Sequence, residues 1–98
     1  MRKKIYLSGS ITKDPQYIEK FNTAEKELSN KYHVVNPIKL EHNHDKTWKN
    51  YMRECLKALK GCEYIVNIDT KPIRSIGRYI ELKKARDWGI KEIRRNKQ

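Results

Sequence analysis

The sequence predicts an α/β fold in which a parallel sheet of about four strands carries helices on both faces. The main observation is that four short β-prone segments alternate with three segments whose apolar residues recur at helical spacing. Strands that alternate with helices in this way pair in parallel, and the connecting helices cover both faces of the sheet. A second observation is the length of 98 residues, which suffices for one modest core.

The element boundaries follow from β-prone runs, helix caps and helix-ending residues. The predicted strands are residues 4–7, 32–36, 63–68 and 90–93. The predicted N-caps are Asp14 followed by Pro15, then Thr47 or Asp45, and finally Ser75. The predicted helix ends are near Asn30, at Gly61, and near Trp88 before Gly89. Pro37 ends the second strand, and residues 38–46 lack periodicity and are expected to form a loop.

The composition predicts a small cytoplasmic protein with one domain, residues 1–93, and a basic tail, residues 94–98. No segment approaches the roughly 18 apolar residues that cross a bilayer, and polar residues follow the basic N-terminus too soon for a signal peptide. Cys55 and Cys62 are expected to be reduced thiols, because two cysteines in or beside one helix are too few for a disulfide scaffold. Because the core is small, a homodimer or larger homo-oligomer is expected.

The positive charge is concentrated in the last quarter of the chain. The net charge is +11, and residues 71–98 carry 10 basic and 3 acidic side chains, against 13 and 9 in residues 1–70. Such a concentration of positive charge favours an anionic partner, which could be a nucleotide, a nucleic acid or an acidic protein. The alternative is that the charge serves solubility and that residues 94–98 are a solvated tail.

The first candidate group lies at the carboxyl end of the first strand, where ligands bind in open parallel sheets. The loops at that edge are residues 8–14, 36–46 and 69–75. Tyr6 leads into Ser8, Gly9 and Ser10, where glycine lets the backbone approach a sugar or phosphate and the hydroxyls can contact it. The alternative is that these residues form an ordinary turn.

A second candidate group, Ser75, Gly77 and Glu81, lies at the start of the third predicted helix. The hydroxyl of Ser75 and the N–H groups of the helix start favour an anion. Gly77 and Glu81 are four residues apart on one helix face, so the glycine is expected to leave space for a substrate ring above the carboxylate. The alternative is that Glu81 is a surface salt-bridge partner on a basic helix.

A third candidate group consists of Asp45, Trp48 and Tyr51, around the start of the second predicted helix. An aromatic pair three residues apart can stack on a base, although both residues also belong to the apolar stripe and the alternative is that they are core. His42, His44 and Asp45 do not have the spacing of a standard metal site. A polar loop that faces the ligand is therefore expected, without a metal or a cofactor.

Together these motifs resemble a family of short bacterial and phage proteins. That family is similar to the nucleoside 2-deoxyribosyltransferases and to the 2′-deoxynucleoside 5′-phosphate N-hydrolases. The resemblance covers about residues 3–93, and its specificity lies in the combination, because each motif alone is common. The motifs are residues 4–11, Asn36-Pro37, Trp48-x-x-Tyr51-Met52, Leu56-x-x-Leu59-x-Gly61-Cys62 and Ser75-x-Gly77-x-x-x-Glu81, with Ala85 and Gly89.

The resemblance implies a flavodoxin-like or Rossmann-like sheet, usually in a dimer or larger assembly. It implies that Glu81 is the nucleophile toward the sugar C1′ and that residues 8–10 contact sugar and phosphate. At the position of Ser75 the transferases tend to carry an Asp that accepts from the 5′-hydroxyl, whereas the monophosphate hydrolases carry a Ser that binds the 5′-phosphate. Ser75 beside Arg74 and Arg78 therefore favours a nucleotide over a free nucleoside.

The sequence departs from these relatives at Cys55, where they commonly carry an Asp that helps to handle the leaving base. Protonation of the base then needs another donor, for which Asp45 and a histidine are candidates. The predicted function is cleavage or transfer at the base–sugar bond of a (deoxy)nucleoside 5′-monophosphate. One alternative is a nucleotide-binding or sensing protein without turnover. The other is a nucleic-acid-binding accessory protein that uses the charge of residues 71–98.

Overall fold

The computed structural model describes residues 2–11, 13–40, 47–70 and 74–94. The strands are β1 (Lys4–Ser8), β2 (His33–Val35), β3 (Tyr64–Asn67) and β4 (Lys91–Ile93). The helices are α1 (Tyr17–Leu28), α2 (Trp48–Lys60) and α3 (Ile76–Asp87), with a 3₁₀ turn at Pro37–Lys39. No helix within these described ranges has both the length and the apolar character needed to cross a membrane.

The four strands form one parallel sheet in the order β2-β1-β3-β4. This confirms the predicted α/β fold with a parallel sheet of about four strands, in a flavodoxin-like three-layer arrangement. The chain leaves β1 toward one edge to form β2 and then crosses back to form β3 on the other side of β1. The strand order therefore reverses between β1 and β3, where their carboxyl ends lie side by side with Ser8 opposite Asn67.

The alternation of side chains along the strands divides the core into two layers. One face packs on α1 through a cluster formed by Ile5, Leu7, Phe21, Ala24, Val66 and Ile68. The opposite face packs on α2 and α3 through a cluster formed by Tyr6, Cys55, Leu59, Cys62, Ile65 and Ala85. Because successive strand residues point to opposite faces, Tyr6 and Ser8 share the α2 and α3 side of β1.

One predicted helix start was wrong, and one predicted loop begins with a regular turn, each for a local reason. Asp14 is not the N-cap of α1, because its carboxylate accepts from the N–H of Gln16 at 3.0 Å and forms a turn before the helix begins at Tyr17. The segment after β2 is not irregular throughout, because Pro37 starts a 3₁₀ turn. The Asn36 side chain caps that turn by accepting from the N–H of Ile38 at 3.2 Å.

The caps of the other two helices agree with the sequence. Thr47 caps α2 by accepting from the N–H of Asn50 at 3.3 Å, whereas the alternative cap Asp45 lies outside the described residues. Ser75 caps α3 in the same way. Gly89 follows α3 with a φ of 74°, the left-handed conformation that glycine adopts readily.

Candidate active site

A buried carboxylate, that of Glu81, lies where α3 crosses the end of β1. The residue is 5% exposed. Its Oε2 accepts a hydrogen bond of 2.6 Å from the hydroxyl of Tyr6, and its Oε1 accepts one of 2.7 Å from the hydroxyl of Ser8. Each carboxylate oxygen therefore has its own donor from β1, which fixes the orientation of the group.

The sequence explains why these three side chains meet. Tyr6 and Ser8 are two residues apart on a central strand, so both point toward α3. Glu81 and Ala85 are four residues apart on α3 and are the buried residues of that helix. The small side chain of Ala85 lets α3 approach the sheet, and this approach brings the Glu81 carboxylate within reach of the two hydroxyls.

Burial controls the ionisation of Glu81. Desolvation raises the pKa of Glu81 from its ordinary value of 4.5 to about 7, although the hydrogen bonds from Tyr6 and Ser8 oppose the rise. A group with such a pKa is partly ionised at neutral pH. It can therefore act as a nucleophile when ionised or exchange a proton with a reacting group.

The groups beside Glu81 are neutral at physiological pH. Burial, with the nearby Glu81 carboxylate, raises the pKa of Tyr6 well above its ordinary range, so Tyr6 is a phenol that donates to Glu81. Burial also raises the pKa of the Cys55 thiol to about 11. Tyr51 packs against the same cluster, and its pKa is likewise raised by burial. The surroundings of Glu81 on this side are therefore apolar or uncharged.

A second buried carboxylate, Asp69, follows the end of β3 and holds the loop after β1. Both of its oxygens lie 3.1 Å from the N–H of Ser10, and Oδ1 also accepts from the Ser10 hydroxyl at 3.1 Å. Lys20 approaches Oδ1 to 2.5 Å, and Nη1 of Arg78 donates to Oδ2. This cluster links α1, α3 and the carboxyl ends of the two central strands.

Gly9 is required by this packing. A Cβ at Gly9 would lie 2.9 Å from Cγ1 of Ile68, closer than Cβ atoms are found to other heavy atoms, and in a tight contact of 3.1 Å with Oδ1 of Asp69. The backbone at Gly9 therefore lies close to the end of β3. This closeness allows the N–H of Ser10 to reach Asp69. The approach of this backbone to a sugar or phosphate stays a prediction.

The ionised form of Asp69 is strongly favoured. Although burial alone raises the pKa of Asp69, hydrogen bonds from Lys20, Ser10 and Arg78 and the positive charge of Lys20 hold it below the ordinary value. Asp69 and Lys20 were not predicted as site residues from the sequence. The available signal was that Asp69 begins a loop at the carboxyl edge of the sheet, directly after a strand.

Comparison with known protein families identifies the family of this domain. A family described as a domain of unknown function (DUF4406) matches residues 3–93. The chain belongs to this family. The match spans the four strands and three helices that the structure describes, so the Glu81 and Asp69 clusters both lie within the DUF4406 domain. No curated protein is significantly similar to the chain.

In this DUF4406 domain the second predicted group lies at the start of α3, but its members differ in their contacts. The hydroxyl of Ser75 accepts from the N–H of Arg78 at 3.2 Å, so Ser75 is the N-cap. Arg74 precedes it and is exposed. At Gly77 a Cβ would lie 3.3 Å from Sδ of Met52. A Cβ there would require the Met52 side chain to shift by a few tenths of an ångström, so the glycine eases the packing of α3 on α2.

Two members of the third predicted group, Trp48 and Tyr51, lie in the described residues and differ in their exposure. Trp48 is the first residue of α2 and is 52% exposed, so it is not part of the core. Tyr51 is half-buried, and it packs on the cluster that contains Tyr6. Asp45, His42 and His44 lie outside the described residues.

Proposed function

We propose that this protein cleaves the base–sugar bond of a nucleoside 5′-monophosphate, with Glu81 as the nucleophile. The observation that supports the proposal is the buried Glu81 carboxylate, which two hydroxyl donors orient at the carboxyl edge of a parallel sheet. The motif resemblance to nucleoside 2-deoxyribosyltransferases and 5′-monophosphate N-hydrolases supports the same reaction. Both kinds of support concern residues within the span of the family match.

In the proposed reaction, an oxygen of Glu81 forms a bond to the sugar C1′ while the bond between C1′ and the base breaks. The electron pair of the broken bond leaves with the base, which takes up a proton. Tyr6 and Ser8 keep the carboxylate in position as its charge is consumed. Water then attacks C1′ as the bond between C1′ and the Glu81 oxygen breaks, and it gives a proton to the group that protonated the base. This step regenerates the Glu81 carboxylate and gives the sugar phosphate, as in a retaining glycosidase. If a second base attacks instead, the reaction is a transfer.

The phosphate is proposed to bind at the start of α3. The N-terminal N–H groups of a helix and the positive end of its dipole favour an anion. Ser75 is the capping residue there, and Arg74 is exposed beside it. A substrate whose C1′ lies at Glu81, in the second turn of α3, then has its phosphate near the first turn of the same helix.

The leaving base is proposed to lie toward α2. Trp48 offers an exposed ring at the start of α2, and Tyr51 lies one turn further along, so either side chain can stack on a base. At Cys55, where similar enzymes carry an Asp, the chain presents a thiol whose pKa is raised by burial to about 11. The proton for the base must therefore come from another donor, such as Asp45 or a histidine.

The neutral Cys55 thiol favours a second candidate function, nucleotide binding without turnover. Without a carboxylate at that position, the proposed site retains Glu81, Ser75 and the aromatic side chains for binding but lacks a group there that activates the base. Such a protein is expected to be stabilised thermally by a nucleotide that it does not cleave. The same nucleotides therefore serve to test both candidates.

We also propose that the protein forms a homo-oligomer. Several large apolar side chains are exposed on its helices, namely Ile18, Trp48, Ile76 and Tyr79. Such side chains are candidates for burial between subunits. Size-exclusion chromatography with light scattering tests this proposal, because it measures the molar mass in solution.

The proposed function is tested by incubating the protein with a panel of ribo- and deoxyribonucleoside 5′-monophosphates. Free base is measured by chromatography, and the melting temperature is measured with each nucleotide. Release of base from one class of nucleotide supports the enzyme. Thermal stabilisation without release supports the binding protein. If no nucleotide is cleaved and none stabilises the protein, both candidates are wrong.

A further inference from the structure

Four charged side chains form a cluster at the carboxyl edge of β1 and β3. Asp69 lies between two cations, with Oδ1 at 2.5 Å from Nζ of Lys20 and Oδ2 bonded to Arg78. Lys20 also pairs with Asp14, at 2.7 Å between Nζ and Oδ2. The formal charges of these four side chains cancel, although the chain as a whole carries +11. This cluster therefore contributes nothing to the net positive charge of the chain.

The cluster adjoins the Glu81 carboxylate along two elements. Ser10, which binds Asp69, is two residues beyond Ser8, which binds Glu81. Arg78 lies in the first turn of α3, three residues before Glu81, and residues at this spacing are neighbours on a helix. A ligand that reaches from Glu81 to the start of α3 therefore passes beside Arg78.

We propose that Asp69 is a specificity-determining residue that competes with the phosphate of a ligand for Arg78 and Lys20. The inference rests on the proposed function, because that function brings a phosphate to the start of α3. Without ligand, the Asp69 carboxylate makes the ion pairs that phosphate oxygens would otherwise make. The protein then binds phosphate through Ser75, Arg74 and the helix start, and releases a phosphate-bearing product readily.

Burial makes this competition effective. The side chain of Asp69 is 2% exposed, and those of Lys20 and Arg78 are 13% and 20% exposed, so solvent and salt screen the pairs weakly. Asp69 is also ionised at neutral pH, since its partners hold its pKa below the ordinary value. A fixed negative charge a few ångströms from a phosphate dianion then lowers its affinity by more than about tenfold.

Asp69→Asn tests the proposal, because it keeps the shape of the side chain and removes its charge. The probe is inorganic phosphate, and its affinity is measured by isothermal titration calorimetry at constant ionic strength. Asp69→Asn is expected to bind phosphate more than about tenfold more tightly than wild type. Adding Arg78→Met to that variant is expected to abolish the gain. An unchanged or lower affinity in Asp69→Asn would overturn the proposal.

Asp14→Asn is the matched control. Asp14 also pairs with Lys20, but it has no bond to Arg78 among the ion pairs of the described residues. This variant removes the same charge and is expected to gain less phosphate affinity than Asp69→Asn. If the gain in Asp14→Asn equals that in Asp69→Asn, the effect is one of overall charge, and the specific role of Asp69 is refuted.

The test remains decisive if Asp69→Asn fails to fold. Phosphate can then replace the missing carboxylate between the cations, so tens of millimolar phosphate, unlike chloride of equal ionic strength, is expected to restore folding. An unfolded variant that phosphate does not restore contradicts the proposal. Because inorganic phosphate has no base to lose, this result is separate from turnover. Base release by wild type without a phosphate effect in the variant refutes the Asp69 role alone.

Discussion

The hydroxyl of Tyr6 donates a 2.6 Å hydrogen bond to Oε2 of Glu81 and so joins the central strand β1 to α3. Both side chains are buried, so water does not compete for this bond. The bond favours the ionised form of Glu81, whereas burial favours the protonated form. The balance between these two effects leaves the pKa of Glu81 near neutrality.

Tyr6→Phe is therefore expected to raise the pKa of Glu81 above its value of about 7. The substitution removes a donor to the carboxylate but keeps the ring that fills the core, so desolvation is opposed only by Ser8. The pKa is measured by following the side-chain carboxyl carbon of Glu81 in a ¹³C NMR titration. Tyr32→Phe is a suitable control, because Tyr32 contacts Tyr64 at the other end of the sheet. An equal or lower pKa in Tyr6→Phe would contradict this account.

Glu81 is also expected to make the stability of the protein depend on pH. Its pKa is raised from 4.5 to about 7 on folding, so the folded state holds the proton more strongly than the unfolded state. The stability contributed by the protonated group is fully present below about pH 4.5 and is lost as the pH rises through 7. The loss is on the order of 3 kcal/mol for a shift of this size.

The dependence is measured as the difference in the free energy of unfolding between Glu81→Gln and wild type from pH 4 to pH 8. Because glutamine does not ionise, this difference reports the titration of Glu81 alone. Other groups, such as Asp69, contribute equally to both proteins and cancel. The lowered pKa of Asp69 by itself makes stability rise with pH, opposite to the effect of Glu81. Glu81→Gln is expected to gain stability relative to wild type as the pH rises. A difference that stays constant with pH would show that Glu81 titrates normally in the folded protein.

Gly9→Ala is expected to destabilise the fold by about 1–3 kcal/mol, because overpacking forces neighbouring atoms to move. The new methyl group would lie 2.9 Å from Ile68 and 3.1 Å from the Asp69 carboxylate. The measurement is the free energy of unfolding in urea. Gly61→Ala is the matched control, since there the nearest atom to an added Cβ is the carbonyl oxygen of Ala58 at 3.6 Å. Equal stability of the two variants would contradict the close approach at Gly9.

The fold could be predicted because its signals are local. Apolar periodicity and caps such as Thr47 and Ser75 identify the helices, and the alternation of strands and helices implies a parallel sheet. The start of α1 could not be predicted, because the Asp14 side chain can equally cap a helix or close a turn before it. Only the observed bond to the N–H of Gln16 distinguishes the two.

The candidate site could be predicted only in part, because the contacts of Asp69 depend on strand order. The sequence indicated Tyr6, Ser8 and Glu81 individually, and the structure brings them together. Asp69 and Lys20 are far apart in sequence, and their contact arises because β3 lies beside β1 while α1 covers the opposite face to α3. No local pattern contains that information.

The most direct test of the central claim compares base release by wild type, Glu81→Gln and Glu19→Gln on the best nucleotide of the panel. Glu19 is an exposed carboxylate on α1 and controls for the loss of one charge. Glu81→Gln is expected to lose more than about a thousandfold in kcat while it remains folded, because the amide cannot bond to C1′. Glu19→Gln is expected to retain the wild-type rate. Base release by Glu81→Gln within about tenfold of wild type would show that Glu81 is not the nucleophile.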